Sequence, residues 1–260
     1  MSTFLFGEII FGPVKSRRLG VSLGINLLPL ERKICNFNCV YCECGWTGEN
    51  NDIHCKLPGR EEVYKALDEK LSGMKSRNEA PDVITYAGNG EPTMHPEFPG
   101  IIDDSLILRD RYFPGAKIAV LSNASTIAKT AIRTALLKAD MNILKFDSAF
   151  DSTIKAHNQP LAKVNAAELV DNLASFNGKV IIQTLFLRGN ANGHRIDNTT
   201  PEEIDAWLRA LVRIRPSEVM IYTISRDTPP GADLIKVPAR ELRKIAGSVE
   251  KMGIRTRVSA

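Results

Sequence analysis

Apolar and polar positions along the chain follow two alternating periods. Compact apolar runs at 21–28, 82–87, 117–121, 141–146, 179–187 and 218–224 are each followed by stretches in which apolar residues return every three or four positions. The runs predict buried strands, and the longer spacing predicts amphipathic helices. Val63, Ala66, Leu67, Leu71 and Met74 mark one such helix, and an apolar-punctuated segment 98–108 marks another. Ile127, Ala131, Ile132, Ala135 and Leu136 mark a third, with Ser125 or Thr126 as its cap. Leu169, Val170, Leu173 and Phe176 form a further apolar face, as do Leu242, Ile245, Ala246 and Val249 near the C-terminus. Thr200-Pro201-Glu202-Glu203 reads as a capping box with Pro at the first helical position, ahead of Ile204, Trp207, Leu208 and Leu211. The polar stretch 155–160 reads as a loop in which His157 makes local hydrogen bonds, and 254–258 reads as a final strand.

Strand-then-helix units repeated in this way imply a parallel sheet with right-handed crossovers. Six of them predict an α/β fold, an open (β/α)6 partial TIM barrel with a parallel sheet. The chain reads as a single domain, 1–260, with an N-terminal extension (1–20), a barrel core (21–230) and a C-terminal helix and strand (231–260). Composition agrees: 260 residues at 43% hydrophobic and 25% charged suit one globular domain. No apolar run reaches the length of a membrane span. Phe4, Leu5, Phe6, Ile9 and Ile10 are interrupted by Glu8 and follow no basic segment, so a secretory signal is not expected. The net charge of +4 is too small to point to a nucleic-acid partner by itself.

Cysteine placement changes the picture. All five cysteines lie between Cys35 and Cys55, which excludes a disulfide framework. Cys35, Cys39 and Cys42 stand at C-x3-C-x2-C spacing, close enough for three thiolates to converge on one inorganic centre. A four-iron cluster normally takes four Cys ligands, so three leave one iron open, and that open position would be catalytic. The alternative is a zinc knot with Cys44, Cys55 or His54 as fourth ligand. Zinc knots favour two separated ligand pairs, and the chain has no second C-x2-C or H-x3-H pair.

The C-x3-C-x2-C motif, with Tyr41 just before the third Cys, resembles the signature of the radical S-adenosylmethionine (radical SAM) superfamily. The stretch 12–20 followed by Ser22-Leu23-Gly24-Ile25-Asn26 is similar to the wybutosine-synthesis-like Fe–S oxidoreductase group within it. The resemblance implies that Cys35, Cys39 and Cys42 hold a [4Fe-4S] cluster. It also implies that S-adenosyl-L-methionine binds the fourth iron, and that one-electron cleavage yields a 5'-deoxyadenosyl radical that takes hydrogen from a substrate. Tyr41 belongs to the cofactor side of that arrangement. Gly88, Asn89, Gly90 and Glu91 resemble the element that holds the methionine amino group, with Asn89 in place of a Gly; Ser122 and Asn123 fall where the family contacts the ribose or carboxylate. An external electron donor such as flavodoxin or ferredoxin, and a reducing, cytoplasmic location, follow from the same likeness.

The substrate is not written in a motif. Arg17 and Arg18 sit in a Gly/Pro-rich segment and Arg188 at the end of a strand, positions suited to holding a phosphate or carboxylate bidentately; Lys145 and Asp147 are further candidates facing the barrel. A nucleotide or tRNA base fits that reading. Activation of a glycyl-radical enzyme and peptide modification are alternatives, and a non-enzymatic iron–sulfur electron carrier is the rival of another class.

Overall fold

The computed structural model describes residues 4–48, 56–225, 229 and 232–260. The apolar runs form β2 (Gly20–Ile25), β3 (Val83–Tyr86), β4 (Lys117–Ser122), β5 (Met141–Lys145), β6 (Ile181–Leu185) and β9 (Glu218–Tyr222), all parallel, with β11 (Arg255–Ser259) added beside β9. The result is a curled, mostly parallel half-barrel. Along each strand one parity faces the helices, as with Ile84, Ile118, Leu144, Ile182 and Ile221, and the other fills the barrel, as with Val83, Ala119, Ile143, Ile181 and Met220. Burial on both faces is what made these runs continuously apolar in the sequence.

Helices α1 (Arg60–Ser76), α2 (Phe98–Tyr112), α3 (Thr130–Lys138), α4 (Asp151–Asn158), α5 (Ala166–Ala174), α6 (Pro201–Ile214) and α7 (Ala239–Glu250) form the outer layer. None is long and apolar enough to cross a membrane. Thr200 caps α6 as read, its side chain accepting from Glu203 N. The reciprocal half of the capping box is replaced by tertiary bonds, because the Glu203 carboxylate accepts from Ser148 Oγ and Thr153 Oγ1.

Four local readings are corrected. The segment read as an N-terminal extension supplies a strand of the barrel sheet: β1 (Ile10–Ser16) pairs antiparallel with β2 at the sheet edge. Helix α3 begins at Thr130 without a Ser or Thr cap, since the Thr126 hydroxyl bonds Thr93 Oγ1 at 2.6 Å instead. The polar stretch 155–160 is largely helical, in α4, and His157 is fully buried there. The run 179–187 breaks after β6, where the Asn198 side chain takes both Leu185 O and Leu187 N. The chain then leaves the barrel as β7 (Leu187–Ala191), sandwiched between β8 (His194–Asp197) and β10 (Ala232–Lys236) in a second small sheet. Gly189 (φ +137) allows that pairing, because a Cβ there would come within 2.0 Å of Asp233 O.

Candidate metal and cofactor site at the strand ends

The cysteine loop lies across the C-terminal ends of the barrel strands, the face on which such folds carry their sites. Two supports grip it. On one side Ile34 pairs with Gly90, with Ile34 N donating to Asn89 O and Glu91 N donating to Ile34 O. On the other, Asn38 N donates to Gln159 O, Val40 N to His157 O and Leu161 N to Asn36 O. Gly90 (φ +139) has no room for a Cβ, which would meet Ile34 O at 1.7 Å. The close approach this glycine permits is therefore that of the cysteine loop itself.

Hydrogen-bond donors stand at two of the sulfurs. Cys35 Sγ receives Phe37 N at 3.4 Å and Asn123 Nδ2 at 3.6 Å, and Cys39 Sγ receives Asn158 Nδ2 at 3.5 Å. The ammonium of Lys33, 5% exposed, donates to Gly45 O at 2.8 Å. Burial pushes the Cys35 thiol up to about 12 and raises Cys39 as well. A hydrogen bond with Cys44, helped by Lys33 against the cost of burial, lowers Cys42 to about 6; the same bond and burial raise Cys44, whose Sγ also donates to Gly88 O. Amide donors and a buried cation suit thiolates, and so fit the cluster chemistry of this Cys spacing. Among the described residues no three Cys, His, Asp or Glu side chains converge on a single ion, whereas a cubane takes its thiolates on separate irons. His54 and Cys55 lie outside the described residues.

Glu91, 2% exposed, is held by protein donors: Oε1 accepts from Thr93 N and Thr93 Oγ1, and Oε2 accepts from Asn123 N at 2.6 Å. Burial raises this carboxyl, against those hydrogen bonds. Asn123 also donates to Asn36 Oδ1, so turn 88–91, the end of β4 and the cysteine loop are tied together. Ser122 Oγ accepts from Ala124 N at the same strand end. The Asn89 side chain is committed to structure. It receives Phe6 N and donates to Phe6 O and Pro29 O, so an Asn in place of Gly ties the N-terminal segment to the site.

Behind the loop, a buried polar network crosses the barrel. Asp147 Oδ2 accepts from Tyr41 Oη at 2.6 Å and Asn158 Nδ2 at 2.8 Å, while Oδ1 accepts from Leu185 N. Lys145 Nζ lies 3.6 Å from that carboxylate, 4.8 Å from the Tyr41 ring centroid, and donates to Tyr222 Oη at 2.9 Å. Burial opposes both charges, but each outweighs that cost for the other: Asp147 is held well below the usual carboxylate range, and Lys145 above the usual lysine range. His157 Nδ1, at 3.6 Å from Asp147, is too far for a hydrogen bond, and among the described residues neither of its ring nitrogens has a hydrogen-bond partner.

A cavity of about 840 Å³ occupies the barrel interior. Arg17 and Arg18 line it; Arg17 donates to Ser225 Oγ at 2.6 Å and the Arg18 guanidinium stacks over the Tyr222 ring at 4.4 Å. Arg188 is not with them. It sits in β7 and bonds Thr199 Oγ1 and Glu241, because the chain has by then left the barrel sheet. Sequence reading missed Lys33, Asn36, Asn158 and Tyr222. Only Tyr222 carried a usable signal, the inward parity of an apolar strand.

No family model matches the chain. It is 30% identical over 238 residues to the UPF0026 protein MJ1312 of Methanocaldococcus jannaschii, a match that covers 90% of this chain and 68% of that protein. It is 29% identical over 223 residues to a protein named GTPase Obg from Brachyspira hyodysenteriae; 84% of this chain spans only 30% of that relative. Among solved structures, a radical SAM methyltransferase from Sphaerobacter thermophilus superposes with TM-score 0.65 at 12% identity, over 92% of this chain and 65% of that one. Streptococcus suis SuiB, bound to precursor peptide SuiA, gives 0.64 at 14%, over 91% and 48%, and archaeal TYW1 gives 0.52 at 15%, over 88% and 71%. The half-barrel is the radical SAM fold.

Proposed function

The chain belongs to the UPF0026 family, and from that premise we propose that it is a radical S-adenosylmethionine enzyme. The observation that carries the reading is the docking of loop 34–42 onto turn 88–91 at the strand ends through Ile34, with amide donors at the sulfurs of Cys35 and Cys39. Cys35, Cys39 and Cys42 would hold the [4Fe-4S] cluster. When bound, that cluster and S-adenosylmethionine supply a 5'-deoxyadenosyl radical that takes a hydrogen atom from substrate. Around them the chain's own groups orient and seal. Asn123 and Asn158 direct N–H groups at the sulfurs, and the backbone of Gly88 and Gly90, with Ser122, forms the rim on which the cofactor would rest. Glu91 fixes that rim, and Tyr41, held by Asp147, closes the site against water from below. Reducing electrons would come from an external donor such as a flavodoxin or ferredoxin.

Likeness at 12–15% identity carries the fold and leaves the substrate open, so neither the peptide of SuiB nor the chemistry of TYW1 is transferred. The GTPase name likewise belongs to a protein of which this chain spans 30%, and the chain contains no G-x4-G-K-[ST] segment to cradle a triphosphate. The barrel cavity favours an enzyme over an electron carrier, which has no need of a substrate-sized cavity beside its cluster.

Anaerobic reconstitution tests the reading. The expected result is about four irons and equivalent sulfide per chain, lost on Ala substitution of Cys35, Cys39 or Cys42, with 5'-deoxyadenosine formed from S-adenosylmethionine on reduction. Stoichiometric zinc, or iron retained in the three variants, would overturn it. A reducible cluster that leaves S-adenosylmethionine intact would favour the electron carrier.

A further inference from the structure

The barrel cavity adjoins the proposed cofactor site but is not part of it. Its wall includes Glu43, Ala87 and Leu121, the immediate chain neighbours of Cys42, Gly88 and Ser122, while the cysteines and turn 88–91 stay outside its lining. At about 840 Å³ it has the size of a small-molecule chamber. Two facts describe what it would hold. Arg18 and Gln183 both line the chamber, and among the described residues the buried donors Arg18 Nη1 and Gln183 Nε2 have no hydrogen-bond partner. Gln183 is only 6% exposed, its Oε1 is within 3.4 Å of the Tyr222 hydroxyl, and that hydroxyl in turn accepts from Lys145. Native proteins rarely leave buried donors unsatisfied, and a ligand acceptor is one way such groups are completed. Part of the wall is aromatic: Phe6 stacks on Phe11 with centroids 3.8 Å apart, and both line the chamber.

We infer that this chamber is the substrate site, and that it takes a small oxyanion, a carboxylate or a phosphate, whose oxygens meet Arg18 and Gln183 while a planar apolar body lies against Phe6 and Phe11. The inference deepens the radical-enzyme reading and rests on it for the word substrate. Charge supports the anion. Lys15, Arg17 and Arg18 line the chamber against the single carboxylate of Glu43 among its described lining residues, and Lys145 lies behind Tyr222. The guanidinium of Arg18 is pre-positioned by its stack on Tyr222, which reduces the ordering cost of a two-pronged contact.

Calorimetric titration with benzoate, phenyl phosphate, inorganic phosphate and benzyl alcohol tests this, on the cluster-loaded protein and on the same preparation after iron removal. Benzoate or phenyl phosphate should bind, the pair telling carboxylate from phosphate, and benzyl alcohol and inorganic phosphate should each bind more weakly. Arg18→Met and Gln183→Leu should each weaken the better probe by about tenfold or more, the loss expected for a hydrogen bond to a charged group. Arg18→Lys should keep part of the affinity, and thermal melts of each variant show that it is folded. Equal binding of benzoate and benzyl alcohol, no binding to the wild type, or folded Arg18 and Gln183 variants with unchanged affinity would overturn the inference. Iron uptake and S-adenosylmethionine cleavage on reconstitution separate the two readings: anion binding by a protein that takes up no cluster leaves the site standing and removes the enzyme, and cleavage without anion binding removes the site alone.

Discussion

Asp147 shows how much rests on one side chain. It takes Tyr41, Asn158 and the Leu185 amide while facing the buried ammonium of Lys145, so one carboxylate joins the cysteine loop, α4 and β6. Asp147→Asn leaves Lys145 charged and unpaired, and should destabilise the fold by about 3–5 kcal/mol. The pH dependence follows from the two shifts. Asp147 is depressed, so its contribution is complete above the unfolded carboxylate value and is lost as pH falls through the folded one. Lys145 is raised, so its contribution is complete below the unfolded lysine value and is lost as pH rises through the folded one. The pair should therefore contribute fully from about pH 4 to about pH 10; the gap in urea midpoint between wild type and Asp147→Asn should be widest in the acid half of that window and narrow as pH rises, because burial lets the unpaired Lys145 of the variant lose its proton. No gap in the acid half of that window would show that the pair is not ionised in the fold.

Among the elements, α6 has a start that a single substitution can test. Thr200 accepts from Glu203 N, Pro201 opens the first turn, and Trp207, Ala210, Leu211 and Ile214 bury one face. Thr200→Ala should cost about 1 kcal/mol, the usual worth of such a cap, measured as a shift in denaturant midpoint with unchanged slope. No shift would mean that the Glu203 bonds to Ser148 and Thr153 hold the helix start without the cap. Helix α4 is the contrasting case. Six of its eight residues are polar and Ile154 is its buried apolar anchor, yet its C-terminal end carries the backbone carbonyls of His157 and Gln159 that grip the cysteine loop.

At the scale of the whole molecule, the sheet is open, with β1 at one edge and β11 at the other. Arg257 of β11 spans the seam: its guanidinium donates to Arg18 O beside the β1–β2 turn and pairs with Glu218 at 3.0 Å. Because Arg257 is half-exposed, Arg257→Ala should lower global stability by only about 1 kcal/mol. The local effect should be larger. Amide exchange at 16–20 and 255–259 should speed up while the central strands keep their protection. Uniform acceleration across β3 to β6 would show instead that the seam contact is part of the global fold.

The barrel was legible because parallel strands buried on both faces must be continuously apolar, and the helices between them must be apolar on one side. The Cys spacing was legible because three thiols so close together in sequence suit a single inorganic centre. What surrounds them was not. Asn158, 119 residues from Cys39, and Asn123, 88 residues from Cys35, reach the sulfurs only after the strands are laid side by side. The inclusion of β1 in the sheet, the departure of Arg188 from the barrel and the commitment of Asn89 to Phe6 and Pro29 likewise depend on contacts between distant segments, which leave no local period in the sequence. The amino-acid sequence by itself determined the strand and helix frame and the position of the thiols, since these rest on local periodicity and spacing. Tertiary structure alone decided which donors face the thiols, which charges pair, and which groups line the chamber, since those depend on the curl of the sheet.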